Sequence, residues 1–277
     1  MTFLYGGNVK ANGIRQHYLR YGGDAHASRD AVIIVPGITS PAITWGFVGE
    51  VFDTYILDVR GRGLSSASDE LDYGLDAQAD DLCAFAHALG IERYSVVGHS
   101  MGARIGVRAA RSQPAEMKRL VMVDPPVSGP GRRAYPSKLP WYMDSIALAR
   151  EGMDGQAMRA FCPTWTEAQL GLRAEWLHTC DERAIRTSFD GFHTDDIHAD
   201  FPSLKVPALL MTAARGDVVL DEDVAEIRSL VPHLLHKRVP GAGHMIPWDN
   251  EPGFYAGFGD FLGAPLSSHP ENDNARQ

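Results

Sequence analysis

Cysteine is scarce in this chain of 277 residues. The three present, Cys83, Cys162 and Cys180, are odd in number and lack Cys-x-x-Cys spacing, which indicates neither a disulfide framework nor a zinc knuckle. Basic charge is in deficit as well: 26 Lys and Arg against 35 Asp and Glu leave a net charge of -9, which argues against a general affinity for nucleic acid or an anionic membrane. No apolar run is long enough to span a bilayer, and the opening MTFLYGGNVKANGIRQ has no basic region followed by an apolar stretch and a small-residue cleavage site. A cytoplasmic protein with a small-molecule partner is the expectation, and no pattern specifies an oligomer.

What is present is apolar mass and punctuation. Hydrophobic residues make up 44% of the chain, enough to bury a full core in one folding unit with at most an inserted subdomain. Short β-branched runs recur, each ending in a Gly-containing or polar turn: AVIIV at 31–35, TYILDV at 54–59, YSVVG at 94–98, RLVMVD at 119–124 and VPALLMTA at 206–213. They read as strands buried on both faces, hence a parallel sheet. Helical stretches alternate with them. In DAQADDLCAFAHALG, residues 76–90, the positions Leu82, Phe85, Ala86 and Leu89 repeat at three and four residues behind an acidic first turn. Alternating strands and helices give an α/β class with a doubly wound, mostly parallel sheet.

The alternation breaks once, between Asp124 and Val206. This insert, after the sixth strand, opens with the Pro- and Gly-rich PPVSGPGRRAYPSKLPW and continues through the helix-like WYMDSIALAREG and EAQLGLRAEWLHTC. The expected division is a core of residues 1–125 and 204–264, a helical cap of residues 126–203, and a disordered polar tail at 265–277. A cap over the carboxyl edge of the sheet encloses the place where open α/β sheets put their ligands.

Three segments carry chemistry. Gly98-His-Ser-Met-Gly102 follows the strand YSVVG and precedes ARIGVRAARSQ, of helical composition. This is G-x-S-x-G in its required setting: a strained strand-to-helix turn that lifts the hydroxyl of Ser100 above the sheet beside a helix amino terminus. Gly241-Ala-Gly-His244 follows the last strand, LLHKRVP, so a histidine on a glycine-flanked loop at the same edge can take and return the serine proton. The N–H of Met101 and that of Ile38, in Val35-Pro-Gly-Ile38 after the third strand, are the expected oxyanion donors. His99 reads as a packing residue. His193 and His198 could be drawn as a metal site but lack a ligand motif, and no metal is expected. For the acid that orients His244 two residues compete: Asp124, ending RLVMVD, and Asp217, after VPALLMTA. Both give the order Ser, Asp, His.

The blocks Asp58-Val-Arg-Gly-Arg-Gly-Leu-Ser65, Gly98-His-Ser-Met-Gly102 and Pro240-Gly-Ala-Gly-His244 resemble the signature segments of the α/β-hydrolase superfamily over roughly residues 14–262. The resemblance implies a Ser-His-Asp hydrolase without a cofactor. In many relatives His-Gly stands where this chain has Pro36-Gly37, a difference that a backbone donor tolerates. Asp217 holds the usual address of the third triad member, but the common Gly-x-x-Asp loop is here Ala213-Ala-Arg-Gly-Asp217, with the acid displaced by one residue. Some members place the acid where Asp124 stands. The balance inclines to Asp124, and both are retained, only one being expected in the triad.

A narrower resemblance lies in GHSMGARIGVRAARSQPAEMKRLVMVDPPVSGPGRRAYPSKLPW, which is similar to the N-formylmaleamate deformylases of aerobic nicotinate and nicotine breakdown. It implies cleavage of N-formylmaleamate to maleamate and formate, with the acid on Asp124. An anionic substrate of this kind calls for a cation, and Arg132 and Arg133 at the cap entrance, with Lys138 near them, are the candidates. Trp141, Trp165 and Trp176 are expected in cap packing or along the pocket wall. The competing readings are a carboxylesterase or carbon-carbon hydrolase of ring-cleavage products, and a non-catalytic small-ligand sensor on the same fold.

Overall fold

Strands and helices alternate along the described residues, 2–22, 30–51 and 53–262 of the computed structural model. The first half runs β1 (Thr2–Ala11), β2 (Ile14–Gly22), β3 (Ala31–Val35), α1 (Gly46–Gly49), β4 (Thr54–Leu57), α2 (Leu75–Ala88), β5 (Tyr94–His99), α3 (Met101–Arg111) and β6 (Met117–Val123). Then come α4 (Leu139–Arg150), α5 (Gly155–Met158), α6 (Glu167–Trp176) and α7 (Glu182–Thr194), before the chain returns to β7 (Ala208–Ala213), α8 (Asp221–Leu230), β8 (Leu235–Val239), α9 (Ile246–Asp249) and α10 (Glu251–Leu262). The tail expected at 265–277 lies outside the described residues.

The eight strands form one sheet in the order β1-β2-β4-β3-β5-β6-β7-β8, antiparallel where β2 meets β1 and β4 and parallel from β4 to β8. The runs read as doubly buried strands lie in its centre, and every residue of β5 and β7 is buried. The β1–β2 hairpin turns at Asn12 and Gly13, both at positive φ (48° and 75°), the conformation an Asn-Gly hairpin turn demands. It caps one edge of the sheet and leaves Phe3, Leu4 and Tyr5 exposed.

From β3 the chain first goes to β4 on one side and then to β5 on the other, so the direction of winding switches between β3 and β5. Such a switch leaves a crevice at the carboxyl ends of the two strands. Register fixes what borders it: Val35 pairs with Gly98, and His99 with Val123, so the turns after β3, β5 and β6 leave the sheet side by side.

The insertion between β6 and β7 holds α4 to α7. Its helices start on polar caps that satisfy first-turn N–H groups: Asp154 takes the amide of Ala157, Asp181 that of Ala184, and Thr166 and Gln169 close a reciprocal capping box. Three buried arginines clip the insertion to the core. Arg104 of α3 reaches the carbonyls of Gly191 and Asp195 at the end of α7 (3.0 and 2.8 Å), a favourable place for a cation. Arg62 reaches the Ala184 carbonyl and the Ser188 hydroxyl (3.2 and 2.8 Å). Arg173 of α6 reaches back to Thr39. Burial pushes the guanidinium groups of Arg62 and Arg104 down to about 10, so both stay charged at neutral pH.

Candidate active site

Ser100 sits between β5 and α3 at φ 54° and ψ -118°, a strained conformation for a residue with a side chain. The flanking glycines explain how the turn closes. A Cβ on Gly98 would lie 2.3 Å from the carbonyl oxygen of Gly102, and one on Gly102 would lie 1.9 Å from that of Val35. The Ser100 amide donates to the Val123 carbonyl at 2.8 Å, which ties the elbow to β6.

His244 hangs from the loop after β8. Its Nε2 stands 3.0 Å from Ser100 Oγ, and its Nδ1 stands 2.7 Å from Oδ2 of Asp124. Asp124 is 1% exposed, has a positive φ of 46°, and receives the Ala213 amide on its other carboxylate oxygen at 3.2 Å. Of the two aspartates, Asp124 is the one in contact with the His244 ring, whereas Asp217 stands exposed along the cavity wall. Arg215 holds this loop against the histidine loop, its amide on the Ala242 carbonyl (2.9 Å) and its Nε on that of Gly241 (2.6 Å). At the intervening Gly216 a Cβ would sit 2.8 Å from the Cβ of Ala213, which is why this turn requires a glycine, and only in ordinary contact with Asp124 Oδ2 at 3.7 Å.

The oxyanion candidates flank the serine. Met101 opens α3, so its N–H is one of the first-turn donors that the helix itself cannot satisfy. Gly37 lies against the elbow, 3.5 Å from Ser100 Cβ for a Cβ placed on it, and its carbonyl is held by the Ser40 amide at 3.2 Å. In a trans peptide this aims the Ile38 N–H the opposite way. The Ile38 carbonyl is fixed in turn by Arg62 Nε at 3.0 Å. The block at 58–65 is therefore a brace: Asp58 takes His17 Nδ1 (2.7 Å) and the amides of Ala42 and Leu64 (2.6 and 3.0 Å), which positions Arg62 under the oxyanion loop.

His99 is fully buried among Trp45, Trp248 and His244, and its Nε2 donates to the His244 carbonyl at 2.9 Å. Burial first, and the neighbouring imidazole second, lower it to about 3, so it remains neutral and steadies the histidine loop.

A cavity of about 370 Å³ lies over Ser100, bordered by the Ile38 loop, the His244 loop and the insertion. Trp141 and Trp165 line it, whereas Trp176 does not. The cation expectation needs correction. Arg132 is spent on a two-pronged pair with Glu226 (2.7 and 2.8 Å), and Arg133 on Asp223 and the Asp217 and Val218 carbonyls. Both face α8, not the cavity, and Lys138 is no part of the wall either. Among the described residues no group of three or more His, Cys, Asp or Glu, with His193 and His198 counted, is placed to hold a metal.

Two further residues on the cavity wall, Tyr135 and Arg173, belong to no motif of the sequence. The Tyr135 hydroxyl lies 3.3 Å from both His244 Nε2 and the Tyr142 hydroxyl, and burial, with Tyr142 beside it, raises the phenol well above its ordinary range. Arg173 is 2% exposed on α6. Its sequence signal was available: Leu170, Arg173, Ala174 and Leu177 follow the i, i+3, i+4, i+7 pattern of a buried helix face, and all four are buried.

A doubly wound sheet with a serine elbow, a histidine after the last strand and an acid after the sixth defines a class, and the family model of the alpha/beta hydrolase fold matches residues 30–251. The chain belongs to the α/β-hydrolase family. It is 63% identical over 269 residues to the N-formylmaleamate deformylase of Pseudomonas putida KT2440, covering 96% of this chain and 99% of that one. Among solved structures, the N-formylmaleamic acid deformylase Nfo of another Pseudomonas putida strain superposes with a TM-score of 0.86 at 53% identity, over 91% of this chain and 99% of the other. The enol-lactonase of Burkholderia xenovorans superposes with a TM-score of 0.73 at 19% identity, over 93% and 100%, and shares the fold alone.

Proposed function

We propose that this chain is a serine amidohydrolase that cleaves N-formylmaleamate to maleamate and formate. The observation that carries the reading is the hydrogen-bonded sequence Ser100, His244, Asp124 beneath a covered cavity, in a chain so similar to deformylases. In this account His244 Nε2 removes the Ser100 proton as Oγ attacks the formyl carbon, and Asp124 holds the imidazole in the tautomer with hydrogen on Nδ1. The oxyanion takes the N–H groups of Ile38 and Met101, whose peptides are fixed before substrate arrives and so need no reorganisation. Collapse breaks the carbon-nitrogen bond, and His244 returns the proton to the departing nitrogen. That nitrogen leaves readily because it is conjugated to a second carbonyl. Water, deprotonated by the same imidazole, then releases formate and restores Ser100.

The setting that matches is a cytoplasmic enzyme with a small anionic substrate and neither a nucleic-acid nor a membrane partner, in keeping with a net charge of -9. No helix among the described residues is long and apolar enough to cross a membrane. The test compares formate release from N-formylmaleamate with hydrolysis of p-nitrophenyl acetate by the same preparation. Formate appearing with maleamate supports the proposal. Ester turnover without formate would replace it with a carboxylesterase, and failure of a fluorophosphonate to label Ser100 would point to a non-catalytic sensor.

A further inference from the structure

Arg62, Arg104 and Arg173 are each at most 2% exposed, and none has a carboxylate partner among the described residues. A buried charge without a counter-charge is costly unless its hydrogen bonds are met. Arg62 meets them with the carbonyls of Ile38, Arg60 and Ala184 and the Ser188 hydroxyl, and Arg104 with four carbonyls. Arg173 does not. Its Nη1 and Nη2 donate to the carbonyl and hydroxyl oxygens of Thr39 (3.0 and 2.9 Å), and its Nε has no acceptor. It is also the arginine of the three that lines the cavity.

Its surroundings hold it there. The guanidinium lies 5.7 Å from the Trp165 ring centroid, and Trp165 stacks on Trp248 at 4.8 Å and 7°. The carboxylates on the cavity wall do not neutralise it: Asp249 receives the Thr164 hydroxyl and the Gly243 amide, each at 2.8 Å, and Asp217 stands exposed. Thr39 accepts from Arg173 through Oγ1, so its own hydroxyl hydrogen is left to donate. Thr39 also follows Ile38 directly, and adjacent Cα atoms are about 3.8 Å apart. The cation and the expected oxyanion donor thus border the same short stretch of cavity.

We infer that Arg173 is the carboxylate anchor of the substrate site. Resting on the reading of Ser100 as the reacting end, it takes the far carboxylate of a short acyl-amide acid on its planar fork, with the Thr39 hydroxyl as a second donor. The reacting carbonyl then falls at Ile38 and Met101. Because the same guanidinium ties α6 to the oxyanion loop, an acid seated on it also completes the contact between insertion and core.

Titration calorimetry on the full chain tests this with two near-isosteric probes, maleamate and maleamide, the second carrying a neutral amide in place of the carboxylate. The native protein is expected to prefer maleamate by about 100-fold, and Arg173→Met to prefer it by less than about threefold. Arg173→Lys, which keeps charge but not the fork, is expected to retain about a tenth of the preference and serves if the Met variant does not fold. Equal weakening of both probes would make Arg173 a merely structural clip and overturn the inference, as would a native protein without preference. Preference lost in Arg173→Met while native enzyme releases no formate would sink the deformylase reading and leave the anchor standing. Formate release with a preference indifferent to residue 173 would do the reverse.

Discussion

His244 stands between a partner it must exchange protons with and one it must not. In the proposed mechanism Ser100 Oγ, at 3.0 Å from Nε2, gives up its proton, and Asp124, almost wholly buried at 2.7 Å from Nδ1, keeps the ring in one tautomer. Replacing Asp124 by Asn reverses that tautomer, and kcat is expected to fall by about four orders of magnitude, as such substitutions do in Ser-His-Asp enzymes generally. Asp217→Asn, at a carboxylate that does not touch the imidazole, is expected to cost less than about tenfold. Steady-state kinetics on the two variants separates the roles, and a larger loss from Asp217→Asn would reject Asp124 as the orienting acid. Tyr135 offers a second residue-scale prediction. Its hydroxyl is 3.3 Å from His244 Nε2, so Tyr135→Phe removes one neutral hydrogen bond at the reacting atoms, worth about 1 kcal/mol, and is expected to lower kcat roughly fivefold to tenfold with the pH optimum unmoved.

At the scale of elements, the turn between β5 and α3 depends on the absence of two Cβ atoms. Gly102→Ala places a methyl against the backbone of Val35, where no rotamer change can relieve it, and a loss of about 2–3 kcal/mol is expected. Urea unfolding would show the loss, and fluorophosphonate labelling of Ser100 should slow with it. Labelling at the native rate in Gly102→Ala would mean that the elbow is not the tight turn described. The elbow, the central strands and the histidine loop were legible in the sequence because each is local: a β-branched run, a glycine-serine-glycine motif, a strand-end loop. The β1–β2 hairpin could have been read from Asn12-Gly13. The choice between Asp124 and Asp217 was not local, since it depends on how two adjacent strand ends are positioned. The position of the cavity cation is not local either. Arg132 and Arg133 stand in a conspicuous basic turn, but α8 supplies their carboxylates from some 90 residues away, while Arg173 was visible only as a charge on the apolar stripe of α6.

For the molecule as a whole, stability is linked to buried histidines. His99 is lowered from 6.5 to about 3 by burial and by His244, and burial also lowers His198 and His236. In the unfolded chain His99 takes up a proton below about 6.5, but the folded protein binds it only near 3. Between those values the unfolded state holds more protons, so stability falls as pH falls, by up to about 1.4 kcal/mol per pH unit for this group. Burial raises Asp81 and Asp195, which acts in the opposite sense but nearer their own, more acidic range. From pH 6.5 to 5 a loss of about 2 kcal/mol is therefore expected from His99. Urea midpoints at the two pH values check it, with a flatter profile expected for His99→Gln.

Across the whole molecule three buried arginines hold the insertion over a serine whose partners are already aligned. The most direct test is formate released from N-formylmaleamate by the native chain and by Ser100→Ala, measured together with maleamate. Equimolar formate and maleamate are expected from the native protein, and neither above the uncatalysed rate from Ser100→Ala. No formate from the native protein, or undiminished release from the variant, would contradict the proposed function.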